Sequence, residues 1–275
     1  MNLSYSFAHE TELQLTTALG MSFAKMGVED FMIKGIYRAA SGMLPRIKRQ
    51  EVIANNLANV NTAGFKRQGV FSQELGRAEQ RIVPKQEGWE TPMLSDIYTD
   101  HSQAVLDPTG NDFDIALDGS GFMVVESPEG DELYTRAGGF SLSTEGQLIT
   151  SSGHVLMSDA GPLTLEPDST FEVGIDGSIT INGEEVGRLA LVDFERPYDL
   201  ERLDSGTFKA SNGAVPIDPE KLHVRQGYLE RANVDVIREM IDMITSFREY
   251  ESNQRAIQIA DDTLQKTVNQ VGAKR

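Results

Sequence analysis

Residues 233–272, NVDVIREMIDMITSFREYESNQRAIQIADDTLQKTVNQVG, step by four and three through Val236, Met240, Met243, Phe247, Tyr250, Gln254, Ile257, Asp261, Leu264, Val268 and Val271. Nine of these eleven positions are apolar, which is the signature of a helix with a narrow seam. At ~1.5 Å per residue the helix runs about 55 Å, more than a compact domain of this size needs along one face. Helix formation alone is close to neutral in water. Burying nine seam side chains at ~1.5 to 2 kcal/mol each yields a gross gain on the order of 15 kcal/mol, so pairing decides whether this helix forms. Gln254 and Asp261 interrupt the seam where polar groups fix register in helix bundles.

A second ladder, Ile36, Ala40, Met43, Ile47, Gln50, Ala54 and Leu57, lies near the other end. The simplest arrangement packs the two helices together and leaves the intervening chain as a separate body. Pro45 falls inside this ladder and predicts a kink, or a helix start near Met43, because it removes an amide and its ring crowds the preceding turn. ANNLANVNTAGF at 54–65 should end the helix and turn the chain into an extended segment, since asparagine tolerates the left-handed region and bonds its own backbone.

Residues 69–100 show no clear period and read as an irregular connector with one short strand. From 111 to about 228 the pattern changes to short apolar runs between turn dipeptides. The runs are 122–125, 148–150, 154–157, 179–181 and 189–194, and the dipeptides Asp118-Gly119, Glu145-Gly146, Asp176-Gly177, Asn182-Gly183 and Asn212-Gly213. An all-β domain with hairpins in a sandwich or curled sheet follows, and a doubly wound α/β fold is excluded. The segments 113–120 and 171–178 echo one another, FDIALDGS against FEVGIDGS, as two hairpins built on the same turn chemistry would. The fold class is therefore α+β: terminal helices pairing into a coiled-coil-like bundle around a mainly β middle domain. The expected divisions are an extension at 1–31, a helix and turn at 32–75, a connector and β domain at 76–228, and a C-terminal helix at 229–275.

With 42 acidic against 25 basic residues the formal charge is −17, which argues against nucleic acid or an anionic membrane as a partner. The basic group Arg46, Lys48, Arg49, Lys66 and Arg67 reads as a solvated helix face. The chain has no cysteine, which excludes disulfides, thiol catalysis and sulfur-ligated metals. No run approaches 18 apolar residues, so no membrane-spanning helix is expected. Residues 1–31 lack a cationic start, and His9, Glu10 and Glu12 break any apolar core, so a secretory signal is not expected there.

No catalytic, cofactor or metal site emerges. His9, His101, His154 and His223 are scattered without ligand spacing. Gly119-Ser120-Gly121 lacks the five-residue frame and following helix of a nucleophile elbow and reads as a turn. Neither GxGxxG nor GxxxxGK[ST] occurs. Asp112 with Asp114, and Glu184 with Glu185, read as solvated surface rather than as a glycosidase pair.

Several of these segments also carry a resemblance. ANNLANVNTAGFKR at 54–67, FDIALDGSGFMVV at 113–125, YTRAGGFSLSTEGQLIT at 134–150 and QGYLERANVDVIREMIDMI at 226–244 resemble, in order, blocks of the flagellar rod, hook and hook-associated axial proteins. GPLTLEPDSTFEVGIDGSI at 161–179 followed by VGRLALVDF at 186–194 is most similar to the proximal-rod type, with the distal-rod type next and the hook type further off. The resemblance implies a structural subunit exported by the flagellar type III apparatus without signal cleavage. Such subunits polymerise with themselves and other rod subunits into an axial structure crossing the periplasm, with no cofactor or small-molecule substrate. On this reading Ile36, Ile47, Leu57, Val236, Met240, Met243, Phe247, Tyr250, Ile257, Leu264 and Val268 carry packing. Asn55, Asn56, Asn59, Asn61, Gly64 and Phe65 set the turn and contact the next subunit. A β-sandwich adhesin and a hydrolase using carboxylates on the β domain are the rivals from other classes.

Overall fold

The computed structural model describes residues 28–72, 94–166, 169–204, 206–211, 213–219 and 221–272. Residues 1–27 of the expected extension and most of the connector therefore lie outside the described residues, whereas 28–31, expected to belong to the extension, are helical. Helix α1 (Val28–Ala58) opens the described chain and α2 (Val236–Gly272) closes it. Between them run β1 (Gln68–Ser72), β2 (Leu94–Thr99), β3 (Leu106–Pro108), β4 (Ile115–Gly119), β5 (Phe122–Glu126), β6 (Glu132–Thr135), β7 (Phe140–Leu142), β8 (Leu148–Thr150) and β9 (Val155–Ser158). There follow β10 (Gly161–Pro162), β11 (Phe171–Val173), β12 (Ser178–Ile181), β13 (Glu184–Arg188), β14 (Leu191–Phe194), β15 (Leu200–Arg202), β16 (Thr207–Ala210), β17 (Pro216–Ile217), β18 (Leu222–Gln226) and β19 (Tyr228–Glu230). The fold is α+β with a mostly β middle.

The chain divides into two compact units. One comprises Glu51–Val70 and Ile97–Met243 and holds most of the sheet structure. Its main sheet runs β15-β16-β6-β5-β9-β8-β7, with β14 also against β5, and its core is organised by β5. Phe122 and Val124 point into one apolar cluster with Tyr134, Phe194 and Phe208. Met123 and Val125 point into the other, with Leu133, Leu148, Leu156 and Ile179. A strand covered on both faces reads as an unbroken apolar run, which is why 122–125 is FMVV rather than an alternation. All five turn glycines named above have positive φ, between 81° and 126°.

The echoed segments diverge. β11 and β12 form the expected hairpin across Asp176-Gly177, pairing Phe171 with Ile181. β4, by contrast, pairs with β18 and not with β5, so Asp118-Gly119 turns the chain between sheets. The shared sequence specifies the turn, whereas the partner is chosen by the faces that need covering. The connector supplies two strands rather than one, β1 and β2, which form a ribbon of their own.

The other unit comprises Met1–Gln50, Phe71–Asp96 and Ile244–Arg275, and here the described parts of α1 and α2 contact each other. Arg46 Nε lies 3.1 Å from Glu249 Oε2, and the Ser246 hydroxyl donates to the Arg46 carbonyl at 3.4 Å. α1 is unbroken for 31 residues with Pro45 inside it, so it does not begin near Met43. α2 runs 37 residues from an Asp235 cap, whose Oδ1 accepts from the Ile237 and Arg238 amides at 3.0 and 3.2 Å. Such a cap contributes roughly 1 kcal/mol.

Candidate functional site

The Asn-rich turn after α1 and the approach to α2 are laced together within the first unit by buried polar groups. Asn56, fully buried, uses its side chain as a second backbone: its Oδ1 accepts the Gln68 amide and its Nδ2 donates to the Gln68 carbonyl, both at 2.9 Å. Asn59 donates to the Asn55 carbonyl at 2.9 Å and so closes the end of the helix. Asn233 repeats the device from the other side, its Oδ1 accepting the Arg67 amide at 2.6 Å while its Nδ2 donates to the Asp100 carbonyl at 2.8 Å. Gly64 sits at φ +69° with its amide donating to the Glu230 carbonyl at 2.7 Å. There is no room for a side chain there, because a Cβ would fall 2.3 Å from the Arg136 carbonyl.

Charge is buried in the same place. Lys66 and Glu230 have side chains with no solvent exposure and meet at 2.6 Å. Glu230 also accepts the Ala104 amide at 2.8 Å and reaches Arg136 at 3.4 Å, while Lys66 donates to the Ser102 carbonyl at 2.8 Å. Burial pushes the Lys66 amine below its usual pKa, and Glu230 opposes that shift. A second pair joins Arg67 to Glu239 at 2.6 Å, with Glu239 buried on the first turn of α2. Arg202 covers the Phe65 ring at 4.5 Å and donates to the Lys66 carbonyl, and burial lowers its pKa to about 10. Lys66 and Arg67 are thus not a solvated face. Their carboxylate partners lie more than 160 positions away, at Glu230 and Glu239, where no local pattern links them.

His101 stands beside this cluster with Tyr198 and Phe208 at centroid distances of 4.9 and 5.0 Å. Burial, then the cations Lys66, Arg202 and Arg136, push its pKa from 6.5 to about 4, with Asp100 pulling the other way. Between those values the folded chain binds fewer protons than the unfolded one, so stability falls as pH drops from about 6.5 toward 4. Denaturant midpoints at pH 7 and pH 5 should show this, and His101→Gln should lose that part of the acid sensitivity. Equal sensitivity in the two proteins would contradict the assignment.

The residues singled out from sequence separate into two sets. Asn56, Gly64 and Phe65 are buried in the joint of their own chain, Leu57 and Asn59 are half-buried, and Asn55 and Asn61 are exposed. On α2, Val236, Met243, Tyr250 and Ile257 are half-buried, whereas Met240 and Phe247 are each 52% exposed. Ile47 of α1 is 39% exposed. The side chains of Ile36, Leu264 and Val268 lie outside the described residues. Among the described side chains of α2 the most deeply buried are Glu239 and Ser246, one step off the apolar ladder. Reasoning from apolar spacing misses them, together with Glu230, Asn233 and Arg136. The signal available for Glu230, Asn233, Glu239 and Arg136 was their position inside the ERANVDVIRE and YTRAGG segments, whereas Ser246 carried none.

The joint therefore fixes the entry of α2 against the end of α1. Among the described residues no helix is long and apolar enough to cross a membrane. Residues 36–66 match the family described as flagella basal body rod protein. Residues 116–181 match the flagellar hook protein FlgE/F/G D1 domain, and residues 225–271 the flagellar basal body rod FlgEFG protein C-terminal region. The chain is 34% identical over 251 residues to the flagellar basal-body rod protein FlgG of Agrobacterium fabrum, covering 82% of this chain and 94% of the relative. It is 32% identical to FlgG of Bacillus subtilis, covering 86% and 99%. With the rod protein FlgF of Mesorhizobium japonicum it shares 28% identity over 88% of this chain and 100% of the relative.

Proposed function

The chain belongs to the flagellar basal-body rod protein family, and we propose on that premise that it polymerises into an axial shaft through a second face of its terminal helices. It is a structural subunit of the rod and not an enzyme. The observation that carries the assembly reading is the state of α2. Ile237, Met240, Ile244 and Phe247, spaced by three, four and three, are 73%, 52%, 54% and 52% exposed. Burying the exposed halves of four such side chains stabilises a contact by about 1 kcal/mol each. A helix that keeps Glu239 and Ser246 inward and leaves isoleucine and phenylalanine outward is arranged for neighbours.

On this reading the helices of adjacent copies complete a coiled-coil-like bundle, and Leu44 of α1, 61% exposed, joins the same contacts. Exposed Asn55 and Asn61 then lie where the next copy passes. Passage through the flagellar type III export apparatus without a cleaved leader, and a periplasmic station among other rod subunits, belong to the same reading. Met240→Asp with Phe247→Asp is the test. The monomer should unfold within about 1 kcal/mol of wild type, since these residues already face water, while sedimenting polymer and motility are lost. Normal polymer formation by this variant would sink the proposal.

A further inference from the structure

Residues 100–105, DHSQAV, carry neither helix nor strand, yet they hold on to both halves of the joint. The Asp100 amide donates to the Arg67 carbonyl at 2.8 Å, and the Asp100 carbonyl accepts from Asn233 at 2.8 Å. The Ser102 carbonyl accepts from Lys66 Nζ at 2.8 Å and from Asn233 Nδ2 at 3.2 Å, while the Ala104 amide donates to Glu230 at 2.8 Å. Ser102 and Gln103 are exposed. A segment held by such scattered bonds opens at lower free energy than a strand inside a ladder.

One side chain pegs it down. The His101 ring sits among Phe122, Tyr198 and Phe208, at centroid distances of 5.7, 4.9 and 5.0 Å. Its Nδ1 is buried without a partner among the described residues, so a doubly protonated ring would present an N–H there to neither water nor an acceptor. The charges around the ring are mostly of the same sign. Lys66 comes from the turn after α1, Arg202 from β15 and Arg136 from the end of β6. Asp100, on the segment itself, opposes them, but its carboxylate already accepts the Ser102 amide at 2.9 Å. Glu230, from β19, is held between Lys66 and Arg136, and the Tyr198 hydroxyl donates to Asp193. The ring also has somewhere to go: His101 and Ser102 line a cleft of about 930 Å³, together with Arg196, Pro197 and Asp199.

We infer that residues 100–105 are an acid-released strap: protonation of His101 drives its ring out of the aromatic seat into the neighbouring cleft, and the strap lets go of Lys66, Asn233 and Glu230 while the sheet stays folded. The entry of α2 then keeps the direct Lys66–Glu230 pair but loses the carbonyls and the amide that frame it. The sign follows from the proton count. Burial and the three cations hold the closed ring at a pKa of about 4, and opening returns it to 6.5, so closure is complete above about 6.5 and is lost progressively as pH falls toward 4. Between pH 7.5 and pH 5 the opening equilibrium should rise about thirtyfold.

Residue-resolved amide exchange of the full-length protein at these two pH values, corrected for intrinsic rates and repeated in low urea, is the test. The Ala104 and Asp100 amides should lose about thirtyfold of their protection at pH 5, with no dependence on urea, because a local opening exposes little surface. The Val124 amide, which donates to the Ala190 carbonyl inside the sheet, should remain better protected and exchange through a urea-sensitive opening. In His101→Gln the effect of pH on Ala104 should shrink to within about twofold. Unchanged protection of Ala104 at pH 5 overturns the strap, as does urea sensitivity equal to that of Val124, or a full pH effect in the variant. A reading that needs no variant is the His101 ring carbon shift in wild-type protein. It should stay that of the neutral imidazole down to pH 5, and a midpoint near 6.5 overturns the proposal.

Discussion

Gly64→Ala is expected to cost more than about 3 kcal/mol. Two penalties coincide there. The backbone sits at φ +69°, where an L side chain is strained. The added Cβ would also lie 2.3 Å from the carbonyl carbon and oxygen of Arg136 and 2.4 Å from the Ala137 nitrogen, none of which is the movable end of a side chain. Relief requires the Asn-rich turn to retreat, which breaks the bond from the Gly64 amide to the Glu230 carbonyl and lifts Phe65 out of its fully buried seat. Urea unfolding of the purified monomer would read this as a large fall in midpoint or as failure to fold. A midpoint within about 1 kcal/mol of wild type would show that the turn is far softer than its packing implies.

Glu230→Ala should be comparably damaging, by about 3 to 5 kcal/mol, because it leaves two cations in a dry place without their anion. Lys66 has no solvent exposure and Arg136 only 4%, so neither recovers hydration by a small rotation. The Ala104 amide loses its acceptor in the same stroke. The double variant Lys66→Met/Glu230→Met should recover roughly 2 kcal/mol or more relative to the sum of the single changes, since it removes Lys66, one of the two stranded cations, and leaves only Arg136. Strict additivity of the two single effects in a denaturation cycle would mean that the pair is not coupled. The pair then has one consequence for specificity: it tolerates no slippage of residues 62–68 past residues 228–235, because a shift by one position buries an unpaired charge.

The β domain was largely legible because its signals are local. The FMVV run of β5, the Asp176-Gly177 and Asn182-Gly183 turns and the LIT segment of β8 each announce their state within a few residues. Partner choice was not, as the segments at 113–120 and 171–178 show: nearly the same letters lead once to a hairpin and once to a crossing between sheets. The joint was half legible. The asparagines mark a turn, but nothing in Lys66 or Arg67 points to glutamates more than 160 residues on.

The helix seam, read from spacing alone, divides in the structure between half-buried residues such as Met243 and Tyr250 and exposed ones such as Met240 and Phe247. Periodicity records that Met240 and Phe247 are meant to be dry somewhere; it does not say whether the covering surface is in the same chain. In the structure both are 52% exposed, and Glu239 with Ser246 marks buried positions that apolar counting passes over.

The joint also governs when this chain can become a protein at all. Its defining contacts, Lys66 to Glu230 across 164 positions and Asn56 to Glu239 across 183, bring together segments from opposite ends of the polypeptide. Closure of so long a loop precedes any return from the pairs that seal it, which makes acquisition of structure slow by comparison with helical proteins of local topology. Half a chain emerging from a ribosome holds only one side of the clasp. It stays pliable until the last fifty residues arrive to fasten it.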